Sequence, residues 1–397
     1  MHETFSLTQI AVVVVAALFC GLLFERLRQP AALGYILAGV LLGPSVLGLV
    51  PDRAPVEALA ELGILMLLFL VGMELSLRAF KTVWLISLLT TLAQLGVSFI
   101  VVLGIGKLFE LSFGLCALLA CAIALSSTAV AIKMLESIQE IRTETGRITV
   151  GVLIAQDLAI VPIILMLKGL SGDGFHSDIF AKIAISVGVL FALIWYLSRR
   201  QKLNLPFSKI VSGNKDLTPL VGLMFCFGMA VLSGSLGLSA AYGAFLGGLI
   251  LGNTTERHTM IEATKPIQSV LMMVFFLSIG LLMDLGYIFQ NLGKVLSLLL
   301  FITIGKTFLN IFVLHLLRQP WERAFLSGLV LSQMGEFAFL LAGVGISNGL
   351  IDGDGQRLVV SLAALSLALS PFWMLAARKL HEAAPRGIES VNQLVTA

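Results

Sequence analysis

The chain has 397 residues, 58% of them hydrophobic and only 12% charged, with a net charge of +3 and a mean hydropathy of +1.00. A soluble domain carries about 25% charged residues, so this composition excludes an ordinary soluble protein. The apolar runs are long and repeated, which places the chain among polytopic, all-α membrane proteins.

Thirteen apolar segments follow one another: 7–24, 31–50, 57–75, 82–107, 111–136, 144–170, 179–198, 217–236, 238–254, 264–283, 291–317, 321–349 and 355–380. Most are near or above the ~20 residues that a spanning helix needs. The first has no basic region before it and ends in Glu25-Arg26-Leu27-Arg28 with no small-residue cleavage site, so it reads as a span and not a signal peptide. The shortest, 238–254, is Gly-rich and reads as less tilted or broken. Loops after odd-numbered segments hold nineteen Lys and Arg, and loops after even-numbered ones hold six. That bias predicts an N-terminus outside and a C-terminus in the cytoplasm. Cys20, Cys116, Cys121 and Cys226 all lie in apolar runs without a C-x-x-C pair and are expected to pack, not to bridge or bind metal. No Walker loop, H-E-x-x-H or G-x-G-x-x-G occurs, so neither enzyme chemistry, a resident cofactor nor a nucleic-acid partner is expected.

Three ionisable residues lie deep in segments: Asp157 in the sixth, Lys306 in the eleventh and Glu336 in the twelfth. A charge at that depth costs roughly 2.5–3.5 kcal/mol on insertion scales, and such residues usually mark an ion or proton path. The fifth segment carries Ser126-Ser127-Thr128 and the twelfth Ser332-Gln333-Met334-Gly335-Glu336. Such hydroxyl and glycine clusters accompany broken helices, whose freed carbonyls and helix ends face a cavity; they also occur where spans simply pack through small residues. A partly dehydrated alkali cation needs several oxygen ligands. Asp157, the Gln156 amide oxygen, the hydroxyls of Ser126, Ser127 and Thr128, and freed carbonyls are the candidates. Pro162 removes an N–H and frees a carbonyl about one turn earlier. Glu61, Glu74 and Asp284 sit at segment ends and read as interfacial. His258 and His315 are placed to sense pH, but a lone histidine at a segment end is more often structural.

The sequence also echoes itself. Ile36-Leu-Ala-Gly-Val-Leu-Leu-Gly43-Pro44 matches Phe245-Leu-Gly-Gly-Leu-Ile-Leu-Gly252-Asn253, Leu68-Phe-Leu-Val-Gly72 matches Phe276-Leu-Ser-Ile-Gly280, and Leu125-Ser126-Ser127 matches Leu331-Ser332-Gln333. The offsets are nearly constant and equal seven segments, an odd number, so the two copies are predicted to be inverted around a midplane site. This gives a first repeat at 1–200, a cytoplasmic linker at 201–216, a second repeat at 217–381 and a short cytoplasmic tail at 382–397.

Gly-x-Leu-x-x-Gln156-Asp157-x-x-x-x-Pro162, taken with Ala124-Leu-Ser-Ser-Thr-Ala-Val-Ala131, Gly243-Ala-Phe-Leu-Gly-Gly248 and Gly335-Glu-Phe-Ala-Phe339, resembles the monovalent cation:proton antiporter-2 family, and within it the Kef-type potassium efflux branch. The resemblance covers nearly the whole chain. It implies the sodium/proton-antiporter-like fold, with about thirteen spans, two inverted repeats and crossing broken helices near Ser126–Thr128 and Gln333–Glu336. It further implies a homodimer in a bacterial inner membrane, a scaffold and a mobile core in each protomer, and Asp157 as the ion- and proton-binding carboxylate. Two departures stand out. Relatives that move net charge carry two adjacent aspartates, the first partnering the lysine; here that position is Gln156, and Lys306 is left to backbone carbonyls or to Glu336. Kef-type proteins also continue into a cytoplasmic nucleotide-binding domain, which this sequence does not contain; a stand-alone transporter and a truncated chain both fit.

The expected activity is therefore electroneutral K+/H+ antiport, with one carboxylate holding either ion in turn, in the service of potassium efflux and pH homeostasis. The alternatives are Na+/H+ exchange on the same fold and a gated K+ channel. An organic-solute transporter lacks a supporting cluster of aromatic or basic residues, and a membrane scaffold leaves Asp157 unexplained.

Overall fold

A computed structural model describes residues 7–27, 29–44, 46–50, 54–74, 77–170, 217–236, 240–370 and 372–373, with scattered positions between 185 and 197. The helices are α1 (Leu7–Arg26), α2 (Ala31–Leu42), α3 (Ala54–Glu74), α4 (Leu77–Leu108), α5 (Phe113–Ala124), α6 (Thr128–Ser137), α7 (Glu144–Leu170), α8 (Leu217–Ser235), α9 (Ala240–Gly252), α10 (Arg257–Leu282), α11 (Leu285–Gln290), α12 (Leu292–Leu316), α13 (Trp321–Val330), α14 (Phe337–Ser347) and α15 (353–370). Each apolar segment contains described helical residues, the seventh only at scattered positions, while the 201–216 linker and the 382–397 tail lie outside the described residues.

Two departures from unbroken spans occur where the sequence places its polar clusters. The fifth segment splits into α5 and α6, with Leu125 and Ser127 extended (ψ 134° and 117°). The twelfth splits into α13 and α14 around residues 331–336. A third difference concerns length. The second segment, read as 31–50, holds only the twelve-residue α2. Beyond it Gly43-Pro44 breaks the helix, since proline supplies no N–H and disfavours helical geometry in the residue before it.

The helices sort into two packed sets. In one, α2 and α3 pack on α9 and α10, flanked by α1 on α2 and α8 on α9. In the other, α4 packs on α5 and α7, α12 on α13 and α4, and both half-helix pairs lie against α7 or α5. The extensive helix-on-helix contacts all fall within a set. Between the sets the described contacts are side-chain ones, such as Phe339 of α14 edge-on to Phe275 and Phe276 of α10, with ring centroids 6.5 and 6.4 Å apart.

The first set is held by backbone-to-backbone approach. A Cβ on Gly39 would lie 2.2 Å from the Leu277 carbonyl oxygen, and one on Gly280 2.1 Å from that of Ile36, so α2 and α10 touch where only glycine fits. Likewise a Cβ on Gly248 would lie 1.9 Å from the Phe69 oxygen, and one on Gly72 2.4 Å from the Phe245 oxygen. The echo in the sequence carries Gly39 onto Gly248 and Gly72 onto Gly280. The α2–α10 crossing and the α3–α9 crossing are thus one contact made twice, a structural counterpart to the sequence repeat.

Candidate functional site

The second set closes on the two helix breaks, which touch each other. A Cβ on Gly335 would lie 2.8 Å from both the carbonyl carbon and oxygen of Ser126, and the Gly335 N–H donates to the Leu125 carbonyl at 3.0 Å. Breaking a helix inside the membrane strands backbone groups that lipid cannot satisfy, and here each break is supplied by the protein. Leu125 O accepts from the Gly335 N–H and from Lys306 Nζ (3.1 Å). Leu331 O, its counterpart in the second break, accepts from the Ser126 hydroxyl (2.9 Å) and from Asn310 Nδ2 (3.2 Å). The Met334 N–H donates to Ser366 Oγ at 3.0 Å.

The sequence left the partner of Lys306 undecided between carbonyls and Glu336. Its ammonium group, on a residue only 3% exposed, donates to Leu125 O and to Gln333 O (2.9 Å). It therefore sits at the carbonyl-rich side of both breaks, where the C-terminal ends of half-helices carry negative potential. The carboxylates lie at the opposite ends. Glu336 is the N-cap residue of α14. Asp157, on α7, receives the hydroxyl of Thr128, the first residue of α6, at 3.4 Å from each of its oxygens. Helix N-termini stabilise negative charge, so the two breaks present complementary potentials to one lysine and two carboxylates.

Asp157 is 4% exposed. The Thr128 contacts are long for an O–H···O bond, and among the described residues no cationic side chain pairs with it. Ser127 caps α6, its hydroxyl accepting the Val130 N–H at 3.4 Å. A cavity of about 260 Å³ reaches Ser127, Val130 and Glu336 from between the two helix sets, with Tyr35, Gln268 and Ser269 on its other wall.

Gln156 and Ser126 are engaged elsewhere. Gln156 Oε1 accepts the Ser126 N–H at 2.9 Å, and its Nε2 donates to Gln94 Oε1 at 2.7 Å. Gln94 Nε2 donates to Asn310 Oδ1 at 2.7 Å, and Asn310 Nδ2 returns to Leu331 O, which also takes the Ser126 hydroxyl. The five groups form a closed ring joining α4, α7, α12 and both breaks. The ring's sense is fixed at its ends: a backbone N–H can only donate and a carbonyl only accept, so every amide between them has one allowed orientation. Ser332 returns its hydroxyl to Leu329 O at 2.7 Å, and Gln333 sets Nε2 3.5 Å from Ser127 O. Gln94 and Asn310 were not singled out in the sequence. The available signal was an uncharged amide inside an apolar span, and both residues are fully buried.

Asp284 caps α11 through the Tyr287 N–H (3.0 Å) and pairs with Arg357 (3.5 Å), Glu74 pairs with Lys265 (3.4 Å), and His315 stacks edge-on against Trp321. The four cysteines are buried and free.

Comparison with known proteins places this arrangement. A family profile described as sodium/hydrogen exchanger, transmembrane, matches residues 14–375. The chain belongs to that family. The chain is 48% identical to the "Iron transporter MagA" of Paramagnetospirillum magneticum over 98% of its length and 90% of that protein's. It is 32% identical to the "Putative cation/proton antiporter YbaL" of Escherichia coli, over 93% of this chain and 68% of the relative. With "K(+) efflux antiporter 5" of Arabidopsis thaliana it shares 30% identity, over 92% of this chain and 65% of the relative. Its fold matches that of the sodium proton antiporter MjNhaP1 from Methanocaldococcus jannaschii, with a TM-score of 0.71, 17% identity and coverage of 94% of this chain and 98% of that one. The chain is thus an all-helical integral membrane protein of an antiporter family, and not an enzyme. The antiporter-2 resemblance stands at family level, but the 48% match is to a protein named for iron, while the potassium-efflux relative lies at 30%.

Proposed function

We propose that the exchanger carries out electroneutral antiport of a monovalent cation, K+ in preference to Na+, against H+. One observation carries this reading: Asp157 is a buried carboxylate with one weak hydroxyl donor and no cationic partner among the described residues. A lone charge in that setting is costly, and a proton or a cation must offset it. Either neutralises it alone, so the two compete, and competition at one site couples their movements. The set of α4–α7 and α12–α15 then shifts against the set of α1–α3 and α8–α10 only when the carboxylate is neutralised. Thr128, Ser127 and freed carbonyls complete the oxygen shell; Gln156, Ser126, Lys306 and Asn310 hold the breaks in place.

Electroneutrality follows from Lys306 and Gln156. The lysine is held by two carbonyls in place of an acidic partner, and the residue beside Asp157 is an amide closed into a ring, so one positive charge moves each way. The potassium assignment draws on the Gln156-Asp157 pair and on the relatives named for K+ efflux. As arranged in the cell, the protein is a homodimer in a bacterial inner membrane, N-terminus outside, exporting K+.

Proteoliposomes carrying the purified protein and a pH gradient test this. K+ is expected to dissipate the gradient, Na+ to do so far less, and a clamped membrane voltage to leave the rate unchanged. Voltage-dependent exchange driven by Na+ would overturn it. A second reading, exchange of a divalent metal for protons, is favoured by the 48% relative named an iron transporter. Against it, the described residues contain no group of three His, Cys, Asp or Glu able to hold a metal. Fe2+ or Mn2+ driving proton release where K+ does not would decide for it.

A further inference from the structure

Two polar groups near Asp157 are not used by that mechanism. Glu336 is 8% exposed and lines the 260 Å³ cavity together with Ser127. The lysine that would be its natural partner is held by the carbonyls of Leu125 and Gln333. Gln333, 1% exposed, rests its amide nitrogen against the Ser127 carbonyl, and its Oε1 is buried without any hydrogen-bond partner. A buried amide oxygen left bare is uncommon and calls for water or an ion. Gln333 thus abuts Ser127 through its amide nitrogen, and Ser127, next to Asp157's neighbour Thr128, shares the cavity wall with Glu336.

We infer that Glu336, Gln333 Oε1 and Ser127 Oγ form a second cation station at the cavity end, a waiting site for a partly dehydrated monovalent cation before it reaches Asp157. The inference rests on the antiport reading and adds a site to it. A carboxylate, an amide oxygen and a hydroxyl are hard oxygen donors of the kind that replace part of an alkali ion's hydration shell. The cavity supplies the remaining ligands as water, with Tyr35, Gln268 and Ser269 on its far wall. The charges near the station are Asp157, which takes the hydroxyl of Thr128 beside Ser127, and Lys306, which is committed to the breaks. The first attracts a cation to the pair of carboxylates, and the second does not compete for it. The station would raise the local concentration of cation on the cavity side alone, so it acts on affinity from that side and not on the exchange step.

Thallous ion, a K+ surrogate, provides the test. Tl+ binding is measured by equilibrium dialysis on purified full-length Asp157→Asn protein, with Asp157→Asn/Glu336→Gln, Asp157→Asn/Gln333→Met and Asp157→Asn/Glu336→Asp beside it, each checked for monodispersity. The expected result is one residual Tl+ per chain in Asp157→Asn, displaced by K+, weakened at least tenfold by Glu336→Gln, several-fold by Gln333→Met, and kept by Glu336→Asp. No residual Tl+ in the monodisperse Asp157→Asn protein, or residual Tl+ indifferent to Glu336→Gln, overturns the station. The antiport reading is judged separately, by exchange in the unmutated protein. In that protein Glu336→Gln should raise the half-saturating K+ concentration severalfold from the cavity side only; equal effects from both sides would mean a structural role.

Discussion

At the scale of single residues, the proposed antiport separates the group that would exchange ions from the groups that would hold it. Asp157→Asn keeps the shape and removes the charge, so it should abolish cation-driven proton movement while leaving the purified protein as monodisperse as its parent; retained exchange in liposomes would remove Asp157 from the mechanism. Gln94→Leu should do the reverse. It leaves Gln156 Nε2 and Asn310 Oδ1 buried without partners, at about 1–3 kcal/mol for each orphaned group. A clear fall in thermal stability is expected, with cation selectivity preserved in whatever protein survives. Gln156→Asp places a second acid beside the first and offers the ring no amide donor. Exchange should then become sensitive to imposed voltage, measured as a dependence of rate on a valinomycin-set potential.

At the scale of elements, the breaks in the fifth and twelfth segments were legible because Ser126-Ser127-Thr128 and Gly335-Glu336 are dense polar and glycine clusters in otherwise apolar runs. Their existence could be read; their wiring could not. Which carbonyl accepts from Lys306, and whether the Gln156 oxygen faces an ion or a backbone N–H, depends on how four helices meet, and no local pattern encodes that. Gln94 and Asn310 were overlooked for the same reason, since a single amide in a span gives no hint of its partner 216 residues away. Length misled once: residues 43–50 read as apolar span, but Gly43-Pro44 ends the helix. The close approach of the breaks gives its own test. Gly335→Ala pushes a methyl group into the Ser126 backbone, which cannot swing aside as a side chain would. Loss of both exchange and thermal stability is expected, whereas Gly343→Ala, whose Cβ would meet nothing within 4 Å, should be silent in both assays.

At the scale of the whole molecule, sequence patterning foretold the class of protein and the duplicated architecture, but the sorting of helices into two sets cuts across the repeats. Each set takes its members from both halves of the chain, α1–α3 with α8–α10 and α4–α7 with α12–α14, and α15 joins the latter through Ser366, which accepts the Met334 N–H. A reader of the sequence sees two halves in series; the folded chain interleaves them. Between the sets lie side-chain contacts and a cavity in place of the glycine-tight crossings found within the first set, so the proposed mechanism puts relative movement there. Cysteines at Phe276 and Phe339 in a cysteine-free background, joined by a short thiol cross-linker, should arrest exchange, with activity returning on reduction. Cross-linking without loss of exchange would show that the two sets need not slide.

Non-helical stretches inside a helical protein ordinarily shed their amide protons to deuterium first. The breaks here should not. The Ser126 N–H is bonded to Gln156, the Gly335 N–H to Leu125 and the Met334 N–H to Ser366. In a deuterium-exchange experiment these amides should keep their hydrogen about as long as those of the helices beside them. A span that looks severed would then prove to be spliced, and the flexibility of this protein would have to be sought in the joint between its two helix sets.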